Sequence, residues 1–243
     1  TRLQRDVAIK VLVGQNVTPE SLERFLVEAR AVARVSHPGV VTIHEIATGP
    51  RYYIVMELIH GEPLATLLSR VALPPDRATR LFRQVLDALE VVHQAGVIHR
   101  DLNTANIMIC ANDKVKVLDF GLAKFSEQVS SVTQAGEVWG TPQYMAPEQI
   151  DSRYGPIDAQ TDLFAASSVF FEMLTGRPPF QAPTIPKLIY EILYIEPPHP
   201  RSLNPALSDQ LAETLLKGLQ KSKEERYQNC RELLQALDAS GVS

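Results

Sequence analysis

The first sixty residues alternate between two hydrophobic periods. Val7, Ile9 and Val11 interleave with Ala8, Lys10 and Leu12, a period of two that predicts a half-buried strand. Thr18 followed by Pro19 predicts a helix start, threonine as N-cap and proline at the first helical position. Leu22, Phe25, Leu26, Ala29, Val32 and Ala33 then mark one apolar helical face. Residues 40–46 and 52–58 read as two more strands. From His60 onward the pattern is mainly helical, with helices expected near 76–95, 159–175, 184–194, 207–220 and 229–239. Short β segments at 106–110 and 114–118 flank Asn112-Asp113, a turn signal. Residues 119–150 carry no sustained period, and a loop of that length inside a compact domain is usually functional.

Composition narrows this picture. With 45% hydrophobic and 21% charged residues in 243, the chain is an ordinary globular sequence. Its net charge of -4 gives no reason to expect sequence-independent binding of nucleic acid or anionic lipid. The longest apolar stretch, 163–174, is short for a membrane span and contains Glu172, so it reads as a buried helix. Charges at the N-terminus stand where a signal peptide needs an apolar core. Cys110 and Cys230 lack metal-ligand spacing and read as buried thiols in a reducing compartment. His37, His44, His60, His93 and His199 likewise show no ligand spacing and are read as polar or packing residues.

Four short words occur in a fixed order: Val7-Ala8-Ile9-Lys10, His99-Arg100-Asp101-Leu102 with Asn106, Asp119-Phe120-Gly121, and Ala146-Pro147-Glu148. Each falls in a suitable context, the first on a strand and the others in loops or at a helix start. Together they resemble the signature set of protein kinases, from residue 6 to about residue 239. The resemblance implies an α+β, bilobal kinase-like fold. Residues 1–59 would form an incomplete, small β-rich lobe with one helix and the hinge, and residues 60–243 a larger, mainly helical lobe.

The resemblance also implies roles. Lys10 would hold the ATP phosphates, oriented by Glu28, with Glu23 as a competing partner. Asp101 would accept or orient the proton of the substrate hydroxyl, and Asn106 and Asp119 would bind Mg²⁺. Met56 would be the gatekeeper, with backbone groups of Glu57 and Ile59 meeting the adenine edge. His99 and Phe120 would set the loops by packing, with Val32 behind them. Asp162 would anchor the backbone around Arg100, and Arg226 would pair with Glu148. The segment Gly140-Thr141-Pro142-Gln143-Tyr144 resembles that of Ser/Thr kinases, and the 147–150 and 158–162 phrases are similar to bacterial, eukaryotic-like members. The implied activity is transfer of the ATP γ-phosphoryl group to Ser/Thr hydroxyls of protein substrates. The expected setting is the cytoplasm, alone or as the cytosolic part of a longer membrane-anchored protein.

The chain departs from the pattern in three places. None of its twelve glycines forms the glycine-rich ATP loop expected upstream of Val7, so it reads as a piece of a longer protein. Asn103 stands where Ser/Thr kinases usually carry a lysine that neutralises the transferred group, and Thr104 replaces a common proline. Asparagine donates hydrogen bonds but has no charge, which keeps a second reading open: a pseudokinase that binds partners without turnover. A small-molecule phosphotransferase, the third reading, is opposed by the 140–148 segment. Ser167 stands where the central helix often has glycine. For regulation, Arg100 is expected to take an anionic partner, with Lys124 beside it. Phosphorylation at Ser130, Ser131 or Thr133, or the fixed charge of Glu137, would supply that partner.

Overall fold

A computed structural model describes residues 5–12, 19–47, 52–120 and 142–241. The small lobe holds strand β1 (Val7–Leu12), helix α1 (Pro19–Ala33), β2 (Ile43–Ala47) and β3 (Tyr52–Glu57). The antiparallel sheet has the order β1-β3-β2, with Lys10 opposite Ile54 and an irregularity in β2 between Ile43 and Glu45. On β1 the outward face carries Ile9 and Val11, 59% and 48% exposed, while Ala8 packs toward the core on the same side as Lys10. Helix α1 begins at Pro19 as expected and buries Ala29 and Val32 against the sheet. Thr18 lies outside the described residues.

The large lobe continues with β4 (Gly61–Pro63), α2 (Leu64–Leu68), α3 (Pro75–Gln94), β5 (Ile107–Cys110), β6 (Val115–Val117), α4 (Pro147–Ile150), α5 (Ala159–Thr175), α6 (Ile185–Tyr194), α7 (Pro200–Leu203), α8 (Asp209–Gly218) and α9 (Cys230–Ala239). The expected long helices are present within a few residues of their predicted ends. β4 was not foreseen, because a three-residue Gly-Glu-Pro strand has no β signature. It exists because Gly61 lets the chain approach β5 closely: a Cβ there would sit 2.6 Å from the Ile109 carbonyl oxygen.

Helix α5 is the axis of the lobe. The Asp158 side chain accepts from Gln160 N–H (2.9 Å) at its start, and Gly176 ends it with φ 79°. Between these caps nearly every side is buried, as the 163–174 stretch predicts, and Phe170 stacks on Phe82 of α3 at 4.1 Å. Among the described residues no helix is long and apolar enough to cross a membrane. The lobes meet where Val41 N–H donates to Val117 O (3.1 Å) and Val117 N–H to Gly39 O (2.8 Å). The result is a kinase-like bilobal arrangement with a continuous apolar core.

Candidate active site

The segment from His99 to Asn106 is shaped from beneath by one buried carboxylate. Asp162, fully buried on α5, accepts from the N–H groups of His99 (2.7 Å) and Arg100 (2.8 Å) and pairs with His93 Nε2 (2.7 Å). These bonds matter because Arg100 is held at φ 67°, a left-handed conformation that costs a non-glycine residue about 1–2 kcal/mol. The expected anchoring role of Asp162 is borne out. His93 does more than packing: it supports Asp162, and its Nδ1 meets Cys230 Sγ at 3.8 Å. Burial pushes the Cys230 thiol up, so it stays protonated. Cys230 is buried as expected; Cys110 is only half-buried.

His99 couples this loop to the next. Its Nε2 donates to Leu118 O (2.8 Å), its Nδ1 accepts from Asp101 N–H (3.3 Å), and its ring packs on Phe120 at 4.8 Å. Leu118 N–H in turn donates to Asn106 O (2.8 Å). Asp119 follows with φ 60°, left-handed like Arg100. Asp101, Asn106 and Asp119 thus sit on two loops tied through His99 and Leu118. Asn106 Nδ2 donates to Asp101 O (2.9 Å) and Oδ2 (3.3 Å), and its Oδ1 accepts from no group among the described residues.

Lys10 reaches this cluster from β1, but its partner is not the expected one. Its ammonium pairs with Asp119 Oδ2 at 2.8 Å, while Glu28 Oε1 accepts from Arg100 Nη1 at 2.6 Å. In place of the expected Lys10–Glu28 pair, the structure holds two crossed pairs. Sequence identifies the four charged groups, but the position of α1 decides which cation each carboxylate meets. Both pairs are partly solvated, so each contributes little to stability. Arg100 Nε is buried without an acceptor among the described residues. Lys124, Ser130, Ser131, Thr133 and Glu137, which carry the regulatory expectations, lie outside the described residues, as do Gly121 of the Asp119-Phe120-Gly121 word and Gly140 and Thr141 of the segment that resembles Ser/Thr kinases.

At the lobe junction Met56 is buried, Ile59 packs against the core, and Leu58 is 43% exposed. Glu57 N–H donates to Thr42 O (3.0 Å), so that group is not among those that could meet an adenine edge. The Glu57 carboxylate accepts from Lys116 Nζ (2.5 Å) and Thr42 N–H (2.7 Å). Burial alone would raise this carboxyl, but these bonds together hold it below the usual range.

The other side of the His99–Asn106 segment is braced by groups that the sequence does not advertise. Gln149 Nε2 donates to Arg100 O (2.7 Å) while its Oε1 accepts from Ala146 N–H (3.0 Å), stapling α4 to the His99–Asn106 segment. The Thr104 hydroxyl meets Tyr144 OH at 3.0 Å, and Tyr144 OH donates to Glu172 Oε2 at 2.5 Å. Burial and the neighbouring Glu172 raise the Tyr144 phenol; burial also raises the Glu172 carboxyl. Beneath them Arg226 and Glu148 form the expected pair through two bonds (2.8 and 3.0 Å), both side chains fully buried.

A cluster of a strand lysine, two loop carboxylates and a carboxamide suits polyphosphate and a hard cation better than covalent catalysis. The family model described as protein kinase domain matches residues 1–237. The chain is 38% identical over 239 residues to a serine/threonine-protein kinase PknB of Mycobacterium leprae, covering 96% of this chain and 38% of that protein. It is 36% identical to a probable serine/threonine-protein kinase of Streptomyces coelicolor (98% of this chain, 36% of that protein). It is also 37% identical to the serine/threonine-protein kinase Pkn1 of Myxococcus xanthus (96% and 34%). The chain spans just over a third of the length of these relatives.

Proposed function

Because the chain belongs to the protein kinase domain family, we propose that it transfers the γ-phosphoryl group of ATP to serine and threonine hydroxyls of protein substrates. The observation that carries this reading is the convergence of Lys10, Asp101, Asn106 and Asp119 on two mutually bonded loops and one strand. Asp101 orients the acceptor hydroxyl and takes its proton. Lys10 holds the phosphates. The Asp119 carboxylate and Asn106 Oδ1 are hard oxygen donors, the kind Mg²⁺ takes alongside phosphate and water, and they are the residues that would hold it. Mg²⁺ supplies charge neutralisation between the phosphates.

Engaging nucleotide in this way means that Lys10 and Asp119 part. Glu28 then enters by exchange, leaving Arg100 to orient Lys10, while Arg100 turns to an anionic partner. Backbone groups around Glu57 and Ile59 serve the adenine. ATP as the donor favours a cytoplasmic setting, alone or as the cytosolic part of a longer membrane-anchored protein.

Replacing Lys10 in the full-length protein tests the scheme. Lys10→Ala is expected to lower phosphoryl transfer by about 100-fold or more, as the loss of a single charge-stabilising donor does elsewhere. Undiminished transfer would remove Lys10 from the machinery.

A further inference from the structure

Asn103 occupies the place where a charged side chain is expected, yet its side chain is turned into the loop. It is only 6% exposed, with extended backbone angles (φ -155°, ψ 172°). Its Oδ1 accepts from Ala105 N–H (2.9 Å) and Asn106 N–H (3.2 Å), capping the 3-10 turn Thr104–Asn106. Its Nδ2 donates to Asp101 O (3.0 Å) and Asp101 Oδ1 (3.2 Å). The amide orientation follows from these partners. Reversed, it would set its NH₂ against two N–H donors and its oxygen against two oxygens.

We propose that Asn103 is a positioning residue for Asp101, a clamp that fixes one carboxylate oxygen from the amide while Asn106 fixes the other. Asn106 Nδ2 lies 3.3 Å from Oδ2, so the two carboxamides hold opposite oxygens of one carboxylate. Both also hold the Asp101 carbonyl, so the backbone beneath the carboxylate is fixed by the same pair. Both donors and the acceptor oxygen of the Asn103 side chain are spent within the loop, and none is left to reach a transferred group. The uncharged residue therefore acts on geometry. This assignment rests on the proposed role of Asp101.

The two faces of the amide can be separated. Asn103→Asp keeps an oxygen for the turn but removes both donors and adds a like charge beside Asp101. Asn103→Ala removes both faces, and Asn103→Lys offers the charge while losing the cap. In the full-length protein Asn103→Asp is expected to lower kcat by about tenfold or more with KM for ATP within about twofold, since misplacing a reacting group costs rate. Asn103→Lys is expected to give no gain in kcat. Amide hydrogen exchange at Ala105 should quicken in Asn103→Ala and stay slow in Asn103→Asp, whereas Asn106 N–H keeps its bond to Asn103 O in both. Wild-type kcat in Asn103→Asp, or a faster Asn103→Lys enzyme, overturns the clamp. If the wild-type protein transfers no phosphate at all, the proposed function fails. The exchange pattern then tests the clamp alone, because the amide orientation that turns Nδ2 toward Asp101 rests on the bond from Ala105 N–H: exchange at Ala105 as slow in Asn103→Ala as in the wild type overturns it.

Discussion

Lys221 shows how far a single side chain can be forced from its ordinary chemistry. Its ammonium donates to Ile192 O (2.7 Å) and Glu191 O (3.3 Å) at the C-terminal end of α6 and lies 3.9 Å from the Phe180 ring centroid. Helix-end carbonyls and an aromatic face suit a cation. Burial nevertheless pushes its pKa down to about 8, with Glu196 opposing the shift and Arg226 adding to it. Below that value both folded and unfolded chains carry the proton. Between about 8 and the unfolded value near 10.4 the unfolded chain holds a proton that the native one has lost, so stability gains from this residue as pH rises. Denaturant titrations from pH 7.5 to 10 should show that Lys221→Met removes this rising contribution. Identical pH slopes in the two proteins would mean that Lys221 is not desolvated.

At this scale the sequence was legible where a motif fixes a residue's neighbour. Asp162 and the Arg226–Glu148 pair stand as expected, since both are demanded by backbone that the motifs themselves define. Glu28 and Asn103 were not legible. Their partners depend on where a helix lies and how a side chain rotates, and a string of residue types records neither.

Among the elements, α5 and α8 share a contact that explains a departure from pattern. Ser167 of α5 is buried and donates to Leu163 O (2.8 Å). Opposite it stands Gly218 of α8, where an added Cβ would lie 2.1 Å from Ser167 Oγ and 2.8 Å from its Cβ. The small residue missing from α5 is thus supplied by α8. Gly218→Ala should destabilise the fold by about 1–3 kcal/mol through overpacking. Joined to Ser167→Gly, the same change should become neutral or stabilising, because alanine is the better helix former. Thermal unfolding of the two single variants and the double variant gives the coupling; strictly additive effects would contradict the contact.

The long elements were readable because α3, α8 and α9 carry a sustained apolar period and α5 a continuous apolar run, each with a capping residue or proline near the start. The short ones, β4, α4 and α7, have three or four residues and no room for a period. They follow from tertiary approach, as at Gly61. The face of β1 was also unreadable, because both of its faces are apolar apart from Lys10.

For the whole molecule, the functional arrangement is a matter of which pieces the two lobes bring to one place. The small lobe delivers Lys10 and Glu28; the large lobe delivers Asp101, Asn106 and Asp119, held up by α5. The words in the sequence foretold the membership of this group and the α+β, two-lobed frame. The crossed pairs Lys10–Asp119 and Glu28–Arg100 are a property of the lobes' mutual placement. They had to be seen.

The central claim is phosphoryl transfer to serine and threonine by a set built around Asp101. The most direct measurement follows labelled γ-phosphate from Mg·ATP into a protein substrate, with identification of the phosphorylated amino acids, for the full-length protein and its Asp101→Asn variant. Transfer to serine and threonine is expected in the wild type. In Asp101→Asn it should fall by about 100-fold or more, with nucleotide affinity within about twofold, because the group acts on the reacting hydroxyl rather than on ATP. Undiminished transfer in Asp101→Asn, or a wild-type protein that binds Mg·ATP and transfers nothing, would contradict the account.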